Sequence, residues 1–135
     1  MLFRSSKEDT ESYQDALKLL KQYAKVPGDA HFFAGSLEDA KGFLEIGYSL
    51  SFTGVLTFTP DYDELVKYIP LESILSETDA PYVAPVPYRG KRNEPLYVQE
   101  VVKKVAEIKG KPLEEVREVM IDNAFRFFEI GRAHV

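Results

Sequence analysis

Glu77 and Asp79, in the run Glu77-Thr78-Asp79-Ala80-Pro81, follow closely on the apolar pair Ile74-Leu75. Acids placed just beyond a buried strand open onto the crevice at its carboxyl end, where β/α proteins keep ligands and reacting groups. Extended residues two apart project to the same side, so Glu77 would join Asp79 there if the strand geometry continued. It would then orient a neighbouring group or form a salt bridge. Asp79 before Ala80-Pro81 also suits an ordinary turn, so residue type leaves both roles open. Downstream, Arg89, Lys91 and Arg92 lie with Gly90 and Asn93 between Pro87 and Pro95. Guanidinium groups on a proline-stiffened loop suit bidentate capture of a phosphate oxygen, although a run of charge is also what a solvated face looks like. His31, beside Phe32-Phe33, is either a metal-ligating imidazole or a core histidine satisfied by a backbone carbonyl. Ser51, Thr53 and Gly54 offer hydroxyls and a close backbone approach to a substrate. Tyr82 and Tyr88 offer rings that could stack on a base or simply pack the loop.

The elements that must position these groups follow from periodicity. Tyr13, Ala16, Leu17, Leu20 and Tyr23 recur at helical spacing over residues 10–24, and Val26-Pro27-Gly28 stops that helix. Residues 30–33 read as a short buried strand with His31 in its middle. Ser36 caps a helix running to Glu45, and Gly47 ends it. A strand over 48–52, a helix over 61–68 begun by Pro60, and a strand over 73–76 come next. Helices over 96–109 and 113–128 close the chain, separated by Gly110-Lys111-Pro112. Strand and helix in alternation imply parallel strands joined by right-handed crossovers.

Composition excludes several classes. Among 135 residues there is no cysteine, so disulfide scaffolds and thiolate metal sites are ruled out. No apolar run approaches the roughly 20 residues that span a bilayer, and a cytoplasmic protein without membrane association is expected. A net charge of −5 argues against polyanion binding by the whole surface, so phosphate recognition must be local.

Five segments occur in an order and spacing that resemble the TatD family of metal-dependent hydrolases, associated with deoxyribonuclease activity. They are His31-Phe32-Phe33-Ala34-Gly35-Ser36, Ser51-Phe52-Thr53-Gly54, Glu77-Thr78-Asp79-Ala80-Pro81-Tyr82, Arg89-Gly90-Lys91-Arg92-Asn93-Glu94-Pro95, and Asn123-Ala124. The resemblance covers nearly the whole chain and implies an α/β fold, the C-terminal half of a (β/α)8 TIM barrel of the amidohydrolase-like type. A complete barrel needs about 250 residues. The family's paired His-x-His and bridging Glu have no counterpart here, and the slot of its His before Arg4 holds Leu2. Residues 1–128 are expected to form the partial barrel domain, with a strand remnant at 1–4. Residues 129–135 resemble the translation of a sequencing adapter and are expected to be a non-native tail, which sets His134 aside.

The resemblance implies that His31 and Asp79 are ligands to one or two divalent metal ions, with Mg, Mn and Zn equally admissible. It makes Asp79 catalytic as well, orienting or deprotonating the attacking water. Arg89, Arg92, Asn93 and Glu77 are the implied substrate-binding residues, and DNA or another phosphodiester the implied substrate. The chain alone is expected to be inactive, since two ligands hold a catalytic metal weakly, and its open strand edges are expected to promote self-association. The alternatives are a non-catalytic module that binds phosphate or nucleic acid through residues 89–92, and a structural half-barrel that pairs with itself.

Overall fold

A computed structural model describes residues 7–129. The strand remnant expected at 1–4, the slot at Leu2, and the tail from residue 130 onward with His134 lie outside the described residues.

Helix α1 (Lys7–Tyr23) turns Leu17 into the core, with Tyr13 and Leu20 packed beside it. Tyr23, expected on the same face, is instead 66% exposed at the helix end. Strand β1 (Asp29–Ala30) follows, then helix α2 (Leu37–Glu45). Ser36 begins α2 through a reciprocal cap: its Oγ accepts from the Asp39 amide, and its own amide donates to Asp39 Oδ2 at 2.8 Å. Gly47 then takes a φ of 78°, which an L side chain would resist, and starts the chain back toward the sheet. Strand β2 (Ser49–Phe52) leads through a 3-10 turn, Gly54–Thr57, to helix α3 (Asp63–Tyr68). This helix begins two residues later than expected, because the Asp61 amide is held by Thr59 Oγ1 and the Asp63 amide by Pro60 O in a preceding turn. A 3-10 turn, Leu71–Ser73, precedes strand β3 (Ile74–Ser76). Helices α4 (Val98–Lys109) and α5 (Leu113–Phe127) are separated by Gly110 in the left-handed conformation, φ 63°.

The three described strands form one parallel sheet in the order β1-β2-β3, with Asp29 opposite Ser49, and Leu50 opposite Ile74. Leu50, Phe52, Ile74, Val66, Val101, Val105, Val116 and Met120 fill the core between sheet and helices. Parallel strands covered by helices are the expected arrangement of a partial β/α barrel. Within the described residues β1 and β3 each have a strand neighbour on one side only. All three strands therefore deliver their carboxyl ends to the same mouth.

Candidate active site

Strand β1 ends before the histidine. Phe32 has a φ of 48°, so the extended backbone stops at Ala30 and His31 emerges at the strand's carboxyl end instead of lying mid-strand. Phe33, whose amide donates to Ser51 O at 2.9 Å, turns into an aromatic cluster with Tyr13, Phe43 and Phe52. With its side chain 69% exposed, His31 is not a core histidine.

Glu77 reaches it from the far side of β2. Its amide donates to Phe52 O at 3.0 Å, continuing the ladder one residue beyond β3. Its Oε1 accepts the Phe32 amide at 2.6 Å, and its Oε2 lies 2.8 Å from His31 Nε2. The buried Oε2 has no hydrogen bond, and its contact with the imidazole is an ion pair only when the ring is protonated. Glu77 therefore holds the backbone beside His31 by a hydrogen bond and sets its second carboxylate oxygen close to the imidazole.

Asp29 joins this group, and its part was not anticipated. Ser51 Oγ donates to Asp29 Oδ2, while the buried Oδ1 has no hydrogen-bond partner. Burial holds the Asp29 carboxyl above its ordinary range, against the pull of Ser51 and His31. Burial raises Glu77 too, opposed by the Phe32 amide and His31 and reinforced by the charges of Asp29 and Asp79. The signal in the sequence was an acid two residues before His31 in a strand-like run.

The extended backbone that would carry Asp79 to the same side as Glu77 ends before it. Asp79 has a φ of 55°, and its carbonyl accepts the Tyr82 amide at 2.9 Å, so it stands exposed on a turn. Ala80–Pro81 and Val86–Pro87 are cis peptides in the segment that follows.

The loop beyond sorts its polar residues into two kinds. Asn93, expected to face substrate, is 2% exposed and fully engaged: Nδ2 donates to Thr78 O and Tyr82 O, and Oδ1 accepts the Glu94 amide. Arg89 lies with its guanidinium 4.1 Å over the Phe58 ring and donates through Nη1 to Ala84 O, which commits part of the group to holding the loop. Lys91 and Arg92 are exposed. Tyr88 stacks on Tyr97 with ring centroids 3.8 Å apart, the packing role, whereas Tyr82 is 69% exposed. Ser51 and Thr53 are buried with their hydroxyls engaged, the latter capping the Gly54–Thr57 turn through the Val55 amide. The close approach at Gly54 is to the chain's own loop, since a Cβ there would stand 2.6 Å from Val83 O.

Among the described residues no three His, Asp or Glu side chains are grouped so as to hold a metal ion, and no helix is long and apolar enough to cross a membrane.

Parallel strands alternating with helices, with an imidazole and acids at the strands' carboxyl ends, define part of a β/α barrel with a candidate site at its mouth. Residues 7–129 match the family described as TatD related DNase, and the chain belongs to that family. It is 38% identical over 125 residues to YcfH of Escherichia coli K12, covering 90% of this chain and 47% of that protein. It is 40% identical over 125 residues to YabD of Bacillus subtilis, covering 90% of this chain and 49% of that one. Both relatives carry the name uncharacterized metal-dependent hydrolase. The chain therefore spans about half the length of the curated relatives it matches. In structure it is similar to YjjV, a TatD homologue from Escherichia coli K12, with a TM-score of 0.79 and 26% identity, covering 89% of this chain and 48% of that one. A TatD family hydrolase from Entamoeba histolytica shares the fold, with a TM-score of 0.77 over 87% of this chain and 48% of that one.

Proposed function

We propose that this site belongs to a metal-dependent hydrolase of phosphodiester bonds, with DNA as the substrate and His31 and Asp79 as two of its metal ligands. The observation that carries the reading is an exposed imidazole and an exposed carboxylate beyond the carboxyl ends of parallel strands, with Glu77 Oε2 2.8 Å from the imidazole. Nitrogen and carboxylate donors suit a divalent ion, and the buried Oε2 of Glu77, without a hydrogen bond, adds negative potential beside them. The residues fit as part of a shell. When bound, Mg2+, Mn2+ or Zn2+ supplies Lewis acidity toward a phosphoryl oxygen and toward water.

The chain's own groups do the rest. Asp79 takes the proton of the attacking water at its carboxylate, and Glu77 holds the His31 ring against rotation. Arg92 and Lys91, exposed on the loop, offset the charge of the phosphate, with the remaining donors of Arg89 behind them.

The test has two arms. The chain alone should show no cleavage of a DNA oligonucleotide above background with Mg2+, Mn2+ or Zn2+. A longer chain that adds the upstream strands should cleave it and lose most turnover on Asp79→Asn, which keeps the shape and removes the anionic ligand. Cleavage by the longer chain that survives both Asp79→Asn and His31→Ala would end this reading. A binding module without catalysis is the second reading, favoured by the lack of a three-ligand group among the described residues. It calls for metal-independent binding of a single-stranded oligonucleotide that weakens steeply with salt.

A further inference from the structure

Asp79 occupies a conformation that a non-glycine residue seldom adopts, φ 55°, and Val83, a β-branched residue four positions on, has the same φ. Such backbone persists only where its surroundings hold it. What holds it here comes from 14 residues further along the chain. Asn93 is 2% exposed; its Nδ2 donates to Thr78 O at 2.7 Å and to Tyr82 O at 2.6 Å, and its main-chain amide donates to Pro81 O at 3.0 Å. The three acceptors lie on both sides of Asp79, so one residue closes a ring around the turn.

The chemistry calls for a carboxamide. Two donors from one planar group must meet two carbonyl oxygens while the opposite oxygen accepts the Glu94 amide at 2.9 Å. A flipped carboxamide would put oxygen against both carbonyls, so the partners determine its orientation. Aspartate has the same outline and none of the donors. The other end of the device is anchored as well. Glu94 leads directly into the turn Pro95–Tyr97, where Tyr97 stacks on Tyr88, and then into α4, whose Val101 and Val105 are in the core.

We infer that Asn93 is the positioning residue of Asp79: its carboxamide ties the exposed acid's turn to the start of α4 and so sets where the carboxylate stands at the site mouth. This rests on the reading of Asp79 as the working acid. It also assigns Asn93 a role inside the protein, distinct from contact with substrate.

The test uses the chain itself, with amide exchange and Mn2+-induced line broadening followed by NMR. In the wild type both carboxamide protons of Asn93 should be protected from exchange. In Asn93→Asp the Tyr82 amide, which closes the Asp79 turn, should exchange about tenfold to a hundredfold faster, while core amides of β2 and α4 keep their rates. Mn2+ should broaden Asp79 and His31 together in the wild type, and a clearly higher Mn2+ concentration should be needed for the same broadening in Asn93→Asp, where one ligand is displaced. A residue needed only for global stability would speed exchange everywhere in parallel and leave the Mn2+ pattern intact. The inference is overturned if Asn93 carboxamide protons exchange like those of an exposed asparagine, a measurement that needs no variant. It is equally overturned if Tyr82 protection in Asn93→Asp equals that of the wild type. A wild type in which Mn2+ touches neither Asp79 nor His31 would count against the metal-site reading, while the exchange data would still decide the role of Asn93.

Discussion

Asn123 provides the sharpest test of how the sheet is held. From α5 its Nδ2 donates to Leu71 O at 2.8 Å and to Ile74 O at 2.9 Å, and its Oδ1 accepts from Arg126 at 2.9 Å. It is 3% exposed, so water does not replace these partners. Asn123→Asp keeps the volume and turns two donated bonds into oxygen facing oxygen, with Arg126 offsetting part of the new charge. Leu71 O keeps the Ile74 amide as a second donor, so its lost bond costs about 0.5–1.5 kcal/mol, and the Ile74 carbonyl left facing an oxygen costs about 1–3 kcal/mol, which puts the sum at about 1.5–4.5 kcal/mol. For a domain of this size each kcal/mol lowers Tm by about 3–5 °C, which puts the fall at roughly 5–22 °C. Urea and thermal melts followed by circular dichroism at pH 7 would measure it. Lowering the pH until the new carboxyl is protonated should recover part of the loss, because the acid then donates one bond. Asn123→Ala, which never regains a donor, should show no such recovery. An Asn123→Asp chain within about 0.5 kcal/mol of the wild type at pH 7 would refute the clamp.

Two further outcomes are expected. Gly54→Ala should destabilise by about 1–3 kcal/mol, because the new Cβ would meet backbone, Val83 O at 2.6 Å and Pro85 N at 3.0 Å, which cannot swing away as a side chain can; a melt unchanged from the wild type would show that the loop is not seated there. The Asp29 carboxyl is raised by burial, so the folded state binds its proton more tightly than the unfolded chain does. The associated stability is full below the ordinary carboxylate range and is lost as pH rises through the raised value. Asp29→Asn should therefore raise Tm relative to the wild type at pH 7, with the gain shrinking as pH falls through the raised value and levelling off below about 4, in the unfolded carboxylate range. Melts of both chains across that interval would show it, and a pH-independent difference would contradict it.

Local rules explain why much of the fold could be read directly. Ser36 with Asp39, Gly47 and Gly110 act within a few residues of themselves, and the spacing of Leu17, Val101, Val105, Val116 and Met120 marks the faces that the core covers. The places where reading failed are those where a distant group overrode a local preference. Ala30-His31-Phe32-Phe33 has the residue types of a strand, yet the Phe32 amide is taken by a carboxylate 45 residues away and Phe33 is drawn into the aromatic cluster. Tyr23 has the spacing of its helix's buried face but stands exposed in the last turn.

For the candidate site, the sequence determined the inventory: His31 in a strand-like run, Glu77 and Asp79 beyond a strand end, a basic loop behind them, and membership of a family whose motifs recur in order. Only the tertiary structure decided what each polar group does. It put Asn93 inside the loop and Arg92 on its surface, laid Arg89 on Phe58, and added Asp29 to the acids around His31. The reason is that a side chain's role is settled by which donors and acceptors it meets after the chain has folded. The deciding partners of Asn93 and Glu77 lie 11 to 45 residues away, beyond the reach of any helical or strand period.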